Sequence, residues 1–174
     1  MVWGCFAGST VGDLIAYPKG GIGTKEYINT MEQGLLPFIL KLNSDGIDYD
    51  DDVIRVATMG DYIYMHDNAL IHRARVTEAF LAQNHITTMD WPANSPDLNP
   101  IEHLWHHMKM KFHAEFFNAR HTIPSRSHDA LEIYMNGLMW VWKTQLGDLP
   151  QRLVASMPGR VAAVISARGG HTHY

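Results

Sequence analysis

Asp-Tyr-Ile-Tyr-Met-His at 61–66, Ile-Thr-Thr-Met-Asp-Trp at 86–91 and Asn-Pro-Ile-Glu at 99–102 decide the fold class. The first two are short runs rich in β-branched and aromatic residues. Asp67-Asn68 closes one and Pro92 stops the other, so both read as strands. Between them, Arg73–Asn84 has helical spacing, with Val76, Ala79 and Phe80 on the expected core face. A turn-rich stretch, Ala93-Asn94-Ser95-Pro96-Asp97-Leu98, then leads to Asn99-Pro100, which reads as an N-cap and first helical residue. The next helix carries an apolar stripe at Ile101, Leu104, Trp105, Met108 and Phe112. Strand, helix, strand and helix in this order make a βαβ-like crossover.

Upstream, Val2–Ala7 and Asp13–Tyr17 are β-rich runs around Gly8-Ser9-Thr10-Val11-Gly12, an antiparallel hairpin. Pro18-Lys19-Gly20-Gly21 breaks the pattern. Thr24 is a candidate N-cap for a helix with apolar residues at Ile28, Met31, Leu35, Phe38, Ile39 and Leu42, which Pro37 should kink or divide. Asn43–Asp52 reads as a polar, acidic surface loop and Val53–Ala57 as a short strand. Downstream of a loop near Asn118–Ser127, helices are expected at about Asp129–Gln145, Pro150–Ser156 and Arg160–Ala167, with Gly169-Gly170 as a terminal cap. The expected architecture is α/β: a mixed sheet flanked by helices with a helical C-terminal extension. At 174 residues, against roughly 150 per domain, residues 1–174 are expected to form one domain.

Composition excludes several classes. The chain has 14 Lys+Arg against 18 Asp+Glu, a net charge of −4, with 46% hydrophobic residues, which is neither a disordered polyelectrolyte nor a globally basic protein. Its single cysteine, Cys5, excludes an internal disulfide framework and a cysteine-rich zinc module. No apolar run approaches the length of about 18 residues that a membrane span needs, and Met1–Thr10 lacks the basic n-region of a signal peptide. The charge is unevenly placed: residues 1–100 carry a net of −7 and residues 101–174 a net of +3, together with 8 of the 11 histidines. An acidic half beside a basic half suits a cation site next to a polyanion surface; ordinary scatter plus a solvated acidic loop at 48–52 fits as well.

Two carboxylates stand out by position. Asp67 ends a strand, where ligands gather in α/β sheets, and equally fits an Asx turn. Glu102 lies at the start of a helix, where Asn-x-x-Glu also fits a capping box. If the two neighbouring strands bring Asp67 and Glu102 to one sheet edge, their hard oxygens suit Mg²⁺ or Mn²⁺ and two-metal phosphodiester chemistry. The histidines offer a rival reading. His103, His106, His107 and His113 are candidates for a zinc helix, but the His-Glu-x-x-His pattern is absent. Helical spacing instead places Glu102, His106, Lys109 and His113 in one stripe, either a metal acid followed by phosphate contacts or a plain solvated face. Ser95, Ser125 and Cys5 lie in no nucleophile elbow, and Gly20-Gly21-Ile22-Gly23 matches no phosphate-binding fingerprint.

Three blocks resemble mariner-superfamily DNA transposases: Met-Val-Trp-Gly-Cys-Phe at 1–6, His-Asp-Asn-Ala-Leu-Ile-His at 66–72, and Asp-Trp-Pro-Ala-Asn-Ser-Pro-Asp-Leu-Asn-Pro-Ile-Glu-His-Leu-Trp at 90–105. The segment from Leu153-Val154-Ala155-Ser156-Met157-Pro158 to Arg168-Gly169-Gly170-His171-Thr172 also resembles the end of their catalytic domain. The resemblance implies an RNase H-like fold with an Asp-Asp-Glu triad that cuts and joins DNA with Mg²⁺ or Mn²⁺. Asp67 matches the second acid and Glu102 the third; the 34 residues between them are the spacing of one major branch. Asn68 and His72 match positions beside the second acid, and Asn99 and Pro100 the lead-in to the third. His66 stands where many relatives have glutamine, and Leu70 where many have proline.

The family's first aspartate lies on a strand upstream of the Trp-Gly-Cys block. The resemblance therefore implies an amino-terminally truncated catalytic domain, lacking its first strand and the helix-turn-helix DNA-binding region. Asp13, the nearest upstream acid, does not match the motif. The isolated chain is expected not to cleave or join DNA, and to bind it weakly, through backbone contacts from His106, Lys109 and His113 that weaken as salt rises. By resemblance, DNA is the partner, a homodimer the candidate assembly and the nucleus the location. A domesticated, non-catalytic DNA- or protein-binding remnant is the alternative.

Overall fold

A computed structural model describes residues 1–17, 21–45, 62–67, 69–90, 92, 95–116 and 128–174. The expected strand Val53–Ala57, most of the acidic loop, Asn68 and the loop near Asn118–Ser127 lie outside them. The chain forms two compact units, residues 1–19 with 95–174, and residues 20–94.

In the first unit, β1 (Val2–Trp3) pairs antiparallel with β4 (Ile15–Ala16), and β2 (Phe6–Ala7) with β3 (Thr10–Val11). The expected hairpin is present as two ladders in one arm, joined where the Gly12 N–H donates to the Cys5 carbonyl at 2.8 Å. Its turn is tighter than the Gly8–Gly12 loop read from the sequence. Gly8 takes φ +56°, the positive angle needed at the first centre of a two-residue hairpin turn. Its described residues also form α4 (Ile101–Phe116), α5 (His128–Thr144), α6 (Leu149–Ala155) and α7 (Met157–Ser166).

The stripe read on α4 is the buried one. Leu104, Met108 and Phe112 join Leu14, Leu138, Val141, Trp142, Leu146 and Leu153 in one core, with Ile101 and Trp105 packed on it. Gly4 marks a close approach: a Cβ there would lie 2.9 Å from the Trp105 ring and 3.0 Å from that of Trp142. The two indoles stack at 4.9 Å, and Trp142 Nε1 donates to the Gly12 carbonyl at 2.8 Å, so α5 grips the hairpin by its backbone. Asn99-Pro100 is not the first helical pair. A 3₁₀ turn at Pro96–Leu98 precedes it, and α4 begins at Ile101, with Glu102 N–H bonded to the Asn99 carbonyl at 3.2 Å.

In the second unit, α1 (Thr24–Thr30) passes through a π-helical stretch, Met31–Leu35, into α2 (Leu36–Asp45). The cap is Gly23 rather than Thr24; its N–H donates to the Glu26 carboxylate at 3.1 Å. The helix divides just ahead of Pro37, as expected, and Pro37 is the second residue of α2. In an α-helix its ring would meet the Gln33 carbonyl, and the wide π turn just before it, with Leu36 N–H reaching the Met31 carbonyl, opens that space. β5 (Ile63–Tyr64) and β6 (Thr87–Thr88) pair in parallel, connected through α3 (Arg75–Gln83), and α3 packs on α1. This is the expected crossover, with α3 rotated from its expected face: Val76 is 63% exposed, whereas Thr77 and Leu81 are buried. The Thr77 hydroxyl donates to the Ile71 carbonyl at 2.7 Å, which satisfies it inside and turns that face inward.

Helix α3 ends in a Schellman motif, with Ile86 N–H on the Leu81 carbonyl at 2.9 Å and His85 N–H on that of Ala82 at 3.1 Å. The left-handed position, φ +55°, falls on His85, an exposed residue with a Cβ. His85→Gly is expected to raise stability by about 0.5–1 kcal/mol, read as a higher urea midpoint at unchanged m; an equal or lower midpoint would contradict the geometry. The same motif closes α7, where the left-handed residue is Arg168 (φ +52°) and Gly169 follows it, one position from the expected cap.

Candidate functional site

Asp67 lies three residues past β5, where the crossover strand delivers its C-terminal end. Its carboxylate is held in two ways. Oδ1 accepts the Ala69 N–H at 3.1 Å, the expected Asx turn, and lies 2.5 Å from His72 Nδ1. His72 Nδ1 also lies 3.1 Å from the Asp67 carbonyl, and His66 Nδ1 donates to that same carbonyl at 2.5 Å. Both imidazoles therefore carry a proton on Nδ1, because a carbonyl only accepts. The acid itself is open, with 62% of its side chain exposed, whereas His72 is 16% exposed. Solvent screening makes such a pair worth at most about 1 kcal/mol of stability, so orientation is its main effect.

An aromatic shelf fixes the histidines. The buried Tyr27 of α1 lies against the His72 ring at 4.4 Å between centroids, and its hydroxyl meets that of Tyr64 at 3.0 Å. The Tyr64 and His66 rings are 5.5 Å apart, and His66 presents its edge to His72 at 5.3 Å. Burial, helped by nearby His72, holds His66 below the ordinary imidazole value, against a raising contribution from the Asp67 carbonyl. Beside the shelf a cleft of about 420 Å³ is lined by His66, His72, Arg73, Glu78, Thr88 and Asp90, among others. Sequence reasoning singled out Asp67 and His72 and missed Tyr27 and Tyr64. Their signal is period: Tyr27 stands one turn before Met31 on the buried face of α1.

Glu102 occupies the first turn of α4 and is exposed. Asn99 and Pro100, buried, form the lead-in. His106, Lys109 and His113 are exposed along the same helix, as their spacing predicts. His103 is half-buried, and burial, with smaller contributions from Arg160 and His106, lowers its pKa. Asp67 belongs to one compact unit and Glu102 to the other. Asn68 lies outside the described residues.

The donor chemistry at these two positions is exposed carboxylate oxygen, which fits Mg²⁺ or Mn²⁺ rather than zinc. For the histidine-rich face of α4, among the described residues no three His, Cys, Asp or Glu side chains converge as a ligand group. Cys5 is buried, and its thiol is pushed up to about 12, by burial first and then by Asp13, which leaves it protonated and unreactive. No described helix is long and apolar enough to cross a membrane.

Residues 48–123, which include both acids, match the model of the DDE superfamily endonuclease family. The whole chain aligns with the Tc1 transposase of Caenorhabditis elegans at 29% identity, covering 54% of that protein, and with the Tcb2 transposase of Caenorhabditis briggsae at 28%, again covering 54%. The C. elegans Tc3 transposase is 26% identical, with 45% of its length covered. The chain thus spans about half the length of the curated relatives it matches. Among solved structures, the Mos1 transposase catalytic domain with Raltegravir and Mg superposes with a TM-score of 0.68 at 19% identity, over 99% of this chain and 75% of that one. The Mos1 mariner paired end complex with Mn gives 0.62, also at 19% identity, over 95% and 42%. The likeness to Mos1 gives the chain the RNase H-like fold of that catalytic domain, but the single mixed sheet expected from the sequence is not seen: among the described residues the strands form three separate two-stranded sheets. Over residues 48–123 the chain is thus similar to the DDE superfamily endonucleases, and over its whole length to part of the Tc1-type transposases.

Proposed function

We propose that residues 1–174 are part of the catalytic domain of a cut-and-paste DNA transposase, in which Asp67 and Glu102 are two of the acids that hold divalent metal. The observation that carries this reading is that the endonuclease match spans both acids, with Asp67 presented open at a strand end and oriented by His72 and the Ala69 N–H. Because Oδ1 already takes those two contacts, Oδ2 is the oxygen offered to a cation. Glu102 supplies the second carboxylate from the first turn of α4, and Asn99-Pro100 sets where that turn starts. A bound Mg²⁺ or Mn²⁺ would activate a water or terminal hydroxyl and stabilise the oxygen that leaves the phosphodiester.

DNA is the proposed substrate and partner. The exposed His106, Lys109 and His113 of α4 offer phosphate contacts, which position a strand without reading its bases. Action on DNA puts the protein in the nucleus, and a homodimer is the proposed assembly. Strand cleavage of end-labelled DNA with Mn²⁺ or Mg²⁺ tests the reading in a chimera that places the first-aspartate segment of a Tc1-type transposase before Met1, compared with its Asp67→Asn and Glu102→Gln variants. Cleavage insensitive to both substitutions would remove these acids from the reaction and favour a binding remnant.

A further inference from the structure

Arg160 is a charged residue in an otherwise apolar helix, and it is 1% exposed. A buried guanidinium is tolerated only where its donors and charge are matched. Here Nη1 donates to the Asp97 carbonyl at 2.6 Å and Nε to Ser156 Oγ at 2.8 Å, while the cation lies 4.7 Å from the centre of the Tyr174 ring. Ser156 Oγ is committed in turn to the Leu153 carbonyl at 2.7 Å. The segment after α7 returns to the same place: Thr172 Oγ1 donates to Asp97 Oδ2 at 3.0 Å, and Tyr174 N–H to Thr172 Oγ1 at 3.3 Å.

Both oxygen types of Asp97 are thereby taken by residues more than sixty positions downstream. Asp97 is the centre of the 3₁₀ turn Pro96–Leu98, against which α7 packs. That turn fixes the next step of the chain, since Asn99 N–H bonds to the Pro96 carbonyl at 3.0 Å and Glu102 N–H to that of Asn99 at 3.2 Å. We propose that Arg160, clasped by Thr172 and Tyr174, is a positioning residue that locks the Pro96–Asn99 turn and thereby sets the register and direction of the first turn of α4, where Glu102 sits. The importance of that register rests on the metal role proposed for Glu102; the lock itself does not.

Arg160→Ala risks losing the fold, so the test uses the clasp. Amide hydrogen exchange is compared between the unaltered chain, the double variant Thr172→Val/Tyr174→Ala, and Tyr174→Phe, which keeps a ring over the guanidinium. The double variant is expected to raise exchange at the Leu98, Asn99, Glu102 and His103 amides by tenfold or more, while amides of α5 around Val141 stay within twofold. Tyr174→Phe is expected to keep the protection. Unchanged exchange at 98–103, or a rise spread evenly over α5 as well, would overturn the lock. Mn²⁺ titration of the same proteins adds the link to Glu102: the double variant should lose affinity several-fold and Tyr174→Phe should retain it. If exchange responds as expected but Glu102→Gln leaves Mn²⁺ affinity unaltered, the metal reading fails and the lock stands. If Glu102→Gln weakens Mn²⁺ but the clasp variant changes neither readout, the lock fails alone.

Discussion

Asp67→Asn and Glu102→Gln are each expected to lower metal-dependent strand cleavage by about 10³-fold, in a chimera where the segment bearing the family's first aspartate in a Tc1-type transposase precedes Met1. The magnitude follows from what each carboxylate contributes. A divalent ion stabilises the charge of the transition state by several kcal/mol, and about 4 kcal/mol corresponds to three decades in rate. Asn and Gln keep the shape and a carbonyl oxygen but remove the charge that offsets the ion. A second effect at Asp67 is orientation: His72 Nδ1 faces Oδ1 at 2.5 Å, and an amide weakens that pairing. His72→Ala should therefore cost less than Asp67→Asn, roughly 10- to 100-fold, as outer-sphere partners of metal ligands usually do. Equal activity of the Asp67 and Glu102 variants with the parent chimera would contradict the assignment.

Trp142→Ala is expected to destabilise the chain by about 3–5 kcal/mol, the usual range for deleting a large buried aromatic ring. Trp142 is fully buried, stacks on Trp105 and donates its indole N–H to the Gly12 carbonyl. The cavity would lie between α5 and the hairpin, and the Gly12 carbonyl would be left without its donor, adding about 1 kcal/mol or more. Against a total stability of about 5–15 kcal/mol this is a large fraction, equivalent to a fall in Tm of roughly 10–15 °C for a chain of this length. Trp142→Phe, which keeps an aromatic ring but not the N–H, should lose about half as much. A midpoint for Trp142→Ala within a degree of the parent would show that the indole does not hold the hairpin.

The parts of this fold that were legible in the sequence are those set by local chemistry. The apolar stripe of α4 reports a helix with one buried face, and the alternation of β5 and β6 around a helical spacing reports a parallel crossover. Failures arose where a particular backbone hydrogen bond outweighs the apolar pattern. The face of α3 turns on Thr77, whose hydroxyl finds the Ile71 carbonyl, and a count of apolar residues passes over a buried threonine. Pro37 reads as a break, and the break takes the form of a π turn that the apolar spacing does not show. The left-handed closures of α3 and α7 fall on His85 and Arg168, because the Schellman bonds fix the position whether or not a glycine occupies it.

At the site, Asp67 and Glu102 were legible as a strand end and a helix start, and their motif blocks raised them above the turn and capping residues they also resemble. His72 was legible with them, whereas Tyr27, Tyr64 and Arg160 were not. Tyr27, from α1, reaches His72, forty-five positions away in the chain, and Arg160 reaches Asp97, sixty-three positions before it. A lone arginine in the run Val-Ala-Ala-Val-Ile that follows it was the available signal, since a charge in an apolar helix needs a partner.

The proposed function turns on whether Asp67 and Glu102 each serve divalent-metal binding. Mn²⁺ titration of the 174-residue chain, followed by electron paramagnetic resonance, measures this directly. The proposal predicts that Asp67→Asn and Glu102→Gln each weaken Mn²⁺ by about tenfold or more. An affinity that neither substitution alters would contradict it.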